Sequence, residues 1–181
     1  MLDAGLDFEV IAKPVDELAI KESMLAESAW LWDIADALAE AKSMRVSRVE
    51  GGLVIGADQI MVMDNQLFDK PTTIDEARER LKLMRGKTHY LMGAVVICEN
   101  GTPVWRHMAK TKLTMREFSD KFLEDYLKTE GELVTKSVGA YRFEGLGAQL
   151  FSHVDGDFFS ILGLSLLPVM DYLRTRGAIA S

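Results

Sequence analysis

The chain has 181 residues, 48% hydrophobic and 27% charged, with a formal net charge of −7 and one cysteine. Length and composition describe one globular domain, or a domain with a lobe, long enough to bury a sizeable core. The acidic balance argues against a nucleic-acid polymer as partner, the lone cysteine excludes an internal disulfide, and no apolar run reaches the roughly 20 residues that span a bilayer. A cytoplasmic protein with no membrane partner is the expectation.

Met1-Leu2-Asp3-Ala4-Gly5-Leu6 reads as the last turn of a helix with a glycine behind it, followed by a strand over residues 8–11. Pro14, Asp16 and Glu17 mark a loop over residues 13–21. A long helix is expected over about residues 22–44, with Leu25, Trp32, Ala35, Leu38 and Ala39 at helical spacing. Lys42 lies near its C-terminal end, where the helix dipole alone would favour a cation. Residues 53–55 look like a buried strand that ends in a small-residue turn and an acid, Gly56-Ala57-Asp58. Residues 59–63 continue as a second extended run, Asp64-Asn65-Gln66 makes a turn, and Lys70 stands before Pro71.

A helix over residues 73–84 opens with a capping box, Thr73 and Glu76, and stops at Gly86. Two strands, 89–98 and 104–115, are joined at Asn100-Gly101, a strong hairpin signal. Ser119 caps a helix through about residue 128. Residues 130–145 are glycine-rich and mixed, residues 146–154 read as a strand, and a last helix runs from about Ser165 to the capping Gly177. Long helices, buried strands and one hairpin together predict a mixed α/β fold with some antiparallel pairing. His89, His107 and His153 have no metal-ligand spacing, Cys98 reads as a core thiol, and Trp30 as an exposed or dimer-contact residue.

Gly56-Ala57-Asp58-Gln59, Asp69-Lys70-Pro71, Glu144-Gly145 and Gly163-Leu164 before a terminal helix resemble, in this order, the Maf family. The resemblance runs from Gly5 to Gly177. It implies a single Maf-like domain over residues 1–181: an α/β mixed twisted sheet with flanking helices, in two lobes around a cleft, shared with inosine-triphosphate pyrophosphatases. It also implies a reaction, hydrolysis of a nucleoside triphosphate between the α- and β-phosphates to the monophosphate and pyrophosphate. A divalent metal, magnesium or manganese, and a homodimer are implied as well.

Residue by residue, the resemblance makes Asp58 the catalytic aspartate, as base or metal ligand. Glu17, in Val15-Asp16-Glu17, helps hold the metal, and Lys42 and Lys70 contact phosphate. Phosphoanhydride hydrolysis needs neutralised phosphate oxygens and a positioned water, so two acids and two lysines suit it. Taken singly, Asp58 would be a turn cap, Glu17 a solvated loop acid and Lys70 a surface residue restricted by Pro71.

Where the pyrimidine-preferring branch has threonine after the catalytic aspartate and glutamine in the later glycine-flanked motif, this chain has Gln59 and Glu144. That pair is similar to the branch acting on 7-methyl-GTP. Guanine presents N1–H and an exocyclic amine on one edge, and a carboxylate can accept both; the charge of a 7-methylated base strengthens those donors. Glu144 is therefore expected to read the base with help from Gln59, the alternative being a loop ion pair with Arg142 or Lys136.

The family's opening strand and its Ser-x-Ser-x-Arg-Arg phosphate loop have no counterpart in these residues. Relative to the family the domain is N-terminally truncated, and the expectation is weak activity and lower stability than a form extended upstream. Ser165 stands where proline is usual. Rival readings are a non-catalytic cell-division or septum-formation protein that uses the same nucleotide-binding site without turnover, and a generic nucleotide-binding module.

Overall fold

The computed structural model describes residue 1 and residues 4–180. Leu2 and Asp3, part of the expected opening helical turn, lie outside them; Gly5 has the positive φ of +71° that such a cap requires. The elements are α1 (Glu17–Ala26), α2 (Leu31–Ser47), β1 (Leu53–Met63), β2 (Gln66–Phe68), α3 (Ile74–Met84), β3 (Thr88–Glu99), β4 (Thr102–Met115), α4 (Asp120–Glu130), β5 (Phe151–Asp155), α5 (Phe158–Ile161) and α6 (Leu166–Thr175). The strands form one five-stranded sheet in the order β2-β1-β3-β4-β5, which gives the mixed α/β architecture expected from the sequence.

The chain divides into two compact units. The first comprises Met1–Asp58, Gly93–Ala109 and Gly163–Ser181. Its α2 buries Ile34, Ala35, Leu38, Ala39 and Val46, a stripe at helical spacing. A second cluster joins Val95, Val169 and Leu173 to Leu53, Ile55 and Trp105. The Asn100-Gly101 hairpin is present: both residues have positive φ, +51° and +73°, the geometry of a two-residue turn that matches strand twist. Gly101 donates its N–H to Ser47 Oγ at 3.0 Å, which fastens the turn to the end of α2.

The second unit comprises Gln59–Met92 and Lys110–Leu162. Its core gathers Met61, Met63, Leu81, Met84, Leu113 and Leu123, among others. Thr73 caps α3 by accepting from the N–H of Glu76, but the Glu76 carboxylate reaches back to the N–H and hydroxyl of Thr72, one residue before the cap. Ser119 accepts from the N–H of Phe122, and α4 runs two residues past its expected end before Gly131 stops it at φ +55°.

Five expectations need correction. Residues 17–21, expected in a loop, are the first residues of α1, behind its N-cap Asp16. The single helix over 22–44 is two helices: the first closes at Ala26, Ser28 turns the chain with φ +55°, and the N–H groups of Ser28 and Ala29 cap the carbonyls of Leu25 and Met24. The turn at Gly56-Ala57-Asp58 is no turn, because β1 runs unbroken from Leu53 to Met63. Residues 8–11 have strand composition but pair with no strand of the sheet and run irregularly. Residues 146–150 form a 3-10 turn and the strand starts at Phe151. Gly147 explains that turn: a Cβ there would come within 2.8 Å of the Arg142 carbonyl carbon, so the chain is wound too tightly for a strand.

Candidate functional site

Within the first unit three charged side chains meet. Asp58 ends the portion of β1 that belongs to this unit. Gly56, two residues earlier, shares its face of the strand. A Cβ on Gly56 would lie 2.7 Å from the backbone nitrogen of Ser43 and closer still to the carbonyl of Ala39. The glycine is therefore what lets the backbone of α2 rest on β1. That close approach brings Lys42, the neighbour of Ser43, against Asp58.

Lys42 Nζ is hydrogen-bonded to Asp58 Oδ1 and lies 2.9 Å from Glu17 Oε1. Glu17 reaches this point from the first turn of α1, whose N-cap, Asp16, accepts from the N–H of Ala19 at 3.0 Å. Asp58 is the most enclosed of the three, its side chain 11% exposed against 31% for Lys42 and 45% for Glu17. Burial pushes the Asp58 carboxyl above the ordinary aspartate range, Glu17 adds to the rise, and the hydrogen bond and charge of Lys42 oppose it. Burial pulls Lys42 down, but its hydrogen bonds to Asp58 and Glu17 outweigh that and hold it above the usual lysine value. At neutral pH it is an ammonium.

Glu17 and Lys42 lie in the wall of a cavity of about 870 Å³ that follows Leu53–Ala57 on one side and residues 7–15 on the other. That volume is within the range of ligand pockets, about 300–1,000 Å³. Five consecutive residues of β1 face it, so the cavity runs along the strand's edge rather than over one of its faces.

Among the described residues there is no cluster of three metal-ligating side chains. Two carboxylates do converge on one cation, the Lys42 ammonium, which stands in for any other cation there. Hard oxygen donors suit magnesium or manganese, and magnesium commonly takes only one or two protein carboxylates beside phosphate and water. Glu17 and Asp58 therefore fit as ligands of a divalent ion completed by a phosphate-bearing substrate.

The other three residues singled out from the sequence belong to the second unit. Lys70 is exposed, between Asp69 and the buried Pro71. Its segment is pinned by Arg80, which donates to the carbonyls of Asp69 and Val138, the latter at 2.8 Å. Gln59 donates from Nε2 to the carbonyl of Ser160 at 2.7 Å, so its amide braces β1 against α5. Glu144 is exposed and accepts from Arg142 Nε at 3.1 Å, while Arg142 Nη1 holds the buried Glu130 at the same distance. The ion pair with Arg142 weighed from the sequence is thus present. The longer-range bonds of the two arginines are not marked in the sequence: Arg80 reaches carbonyls 11 and 58 positions away and Arg142 reaches Glu130 12 positions away.

A family profile described as Maf-like protein matches residues 1–176. Named relatives match over nearly the whole chain. A nucleoside triphosphate pyrophosphatase of Paramagnetospirillum magneticum is 52% identical over 177 residues, 97% of this chain and 91% of the relative. One of Hyphomonas neptunium is 47% identical over 173 residues, 96% and 87%, and one of Rhodospirillum rubrum 48% over 180 residues, 99% and 89%.

Proposed function

The chain belongs to the Maf-like protein family, and on that premise we propose that it is a nucleoside triphosphate pyrophosphatase, cleaving between the α- and β-phosphates. The observation that carries the reading is the convergence of Asp58 with Glu17 and Lys42, two residues in the wall of a cavity of ligand size, in a chain about half identical to relatives named for this activity. A bound magnesium or manganese would be held by Glu17 and Asp58 and would supply Lewis-acid neutralisation of phosphate oxygens.

The protein's own groups do the rest. Asp58, made more basic by burial, accepts a proton from the attacking water. Lys42 offers a fixed positive charge to phosphate oxygens. Lys70, held in place through the Arg80 bonds to its neighbour's carbonyl, is assigned as a second phosphate contact. Asp58→Asn and Lys70→Ala should each lower pyrophosphate release by about 10²-fold or more; wild-type rates in either variant would overturn these roles.

The substrate is proposed to be a guanine nucleotide of the 7-methyl-GTP type, with Glu144 as base reader and Gln59 as its support. Arg142 fixes one oxygen of the Glu144 carboxylate, and Gln59 contributes by bracing the Ser160 backbone. A panel of triphosphates measured by kcat/KM decides this: 7-methyl-GTP should lead, and a lead for UTP or TTP would overturn it.

A further inference from the structure

Two acids and a lysine that share one contact point are usually described as an ion-pair cluster, but here the lysine sits where a metal ion would have to be. Lys42 Nζ touches both Glu17 and Asp58, and the charge of Lys21 also acts on Asp58. The same two carboxylates are the ones assigned above to a divalent ion. An ammonium and a divalent cation cannot occupy one point between two carboxylates, because like charges at contact range in a half-buried site repel strongly.

We propose that Lys42 is a built-in competitor for the divalent cation, holding the Glu17–Asp58 pair closed in the free protein and releasing it when nucleotide phosphates take the ammonium instead. This rests on the reading of Glu17 and Asp58 as cation ligands. Three features support the exchange. The backbone of Lys42 is fixed by the packing of Ser43 and Ala39 on Gly56, so only the side chain need move. That side chain is partly exposed and carries its charge on a flexible four-carbon stem. Finally, two carboxylates make an incomplete magnesium or manganese site, so the phosphates that draw Lys42 away also supply the missing ligands.

Metal and nucleotide should consequently bind as a coupled pair. The ammonium keeps Asp58, the most enclosed acid of the cluster, from standing as an uncompensated charge before substrate arrives. It also keeps metal affinity low until there is a phosphate to act on. The coupling is reciprocal: metal must tighten nucleotide by the factor by which nucleotide tightens metal.

The test titrates the full chain with manganese, following free Mn²⁺ by electron paramagnetic resonance, with and without the non-cleavable α,β-methylene analogue of GTP. Wild type should bind manganese weakly alone and about tenfold or more tighter with the analogue, within the range usual for coupled sites. Lys42→Met should bind manganese alone about tenfold tighter than wild type, with the extra gain from the analogue reduced, and Lys42→Arg should keep the weak wild-type value. Lys42→Gln is a second charge-removing variant that leaves a polar head beside the acids, and should show the same gain if Lys42→Met does not fold. Manganese bound by the charge-removing variants no tighter than by wild type overturns the proposal.

Asp58→Asn separates the two ways of failing. If it weakens manganese binding in wild type while Lys42→Met brings no gain, the competitor role falls and the ligand assignment stands. If the gain of Lys42→Met survives the addition of Asp58→Asn, the manganese is held elsewhere and both fall.

Discussion

At the residue scale, one titratable group outside the site is locked in the core, His89 on β3. It is fully buried; its Nε2 lies 2.9 Å from the Tyr141 hydroxyl, and its Nδ1 finds no hydrogen-bond partner among the described residues. Burial pushes its pKa down from 6.5 to about 4. A depressed histidine pKa means that the unfolded chain binds the proton first, so stability is intact above pH 6.5 and falls as pH drops from 6.5 toward 4. The shift corresponds to roughly 3 kcal/mol over that window. Urea midpoints from pH 7.5 to 4 should show that loss in wild type, and a shallower one in His89→Phe. Equal slopes would show that His89 titrates normally.

The charged cluster shows what a single residue's sequence context hides. Lys42, seen alone, suits the negative end of a helix, and its partners stand 16 and 25 positions away in the chain. Local chemistry could assign it to the helix dipole, and only the resemblance to a family could assign it to phosphate. That it binds both acids at once is a fact of packing.

At the scale of elements, local rules were legible and non-local ones were not. Asn100-Gly101, Thr73 and Ser119 act within four residues, and each does what its chemistry predicts. The helix break at Ser28 has no marker in the sequence, because the left-handed residue is a serine, with neither glycine nor proline beside it. Gly56-Ala57-Asp58 looked like a turn because small residues commonly are one. They lie within a straight strand because a helix backbone rests on it.

That last point makes Gly56 the element-level test. Gly56→Ala puts a methyl group against backbone atoms of Ala39 and Ser43, which cannot give way as a side-chain tip would. We expect a loss of about 2 kcal/mol or more, as for overpacking of a tight contact. Because α2 must retreat from β1, the Lys42–Asp58 contact should loosen, and pyrophosphate release should fall further than the residual folded fraction explains. An unchanged melting temperature and rate in Gly56→Ala would show that α2 does not depend on this approach.

At the scale of the whole molecule, each unit has its own apolar core. The first carries Glu17, Lys42 and Asp58; the second carries Gln59, Lys70 and Glu144. No helix among the described residues is long and apolar enough to cross a membrane. Family membership over residues 1–176 joins with the three-residue cluster in the proposal made above, a hydrolase that splits the triphosphate chain at its inner anhydride with Asp58 as the proposed base. The most direct measurement is phosphorus NMR of the products formed from a nucleoside triphosphate with magnesium or manganese, in wild type and in Asp58→Asn. The account predicts nucleoside monophosphate and pyrophosphate from wild type and almost none from the variant. Nucleoside diphosphate and orthophosphate as the products, or the same output from both proteins, would contradict it.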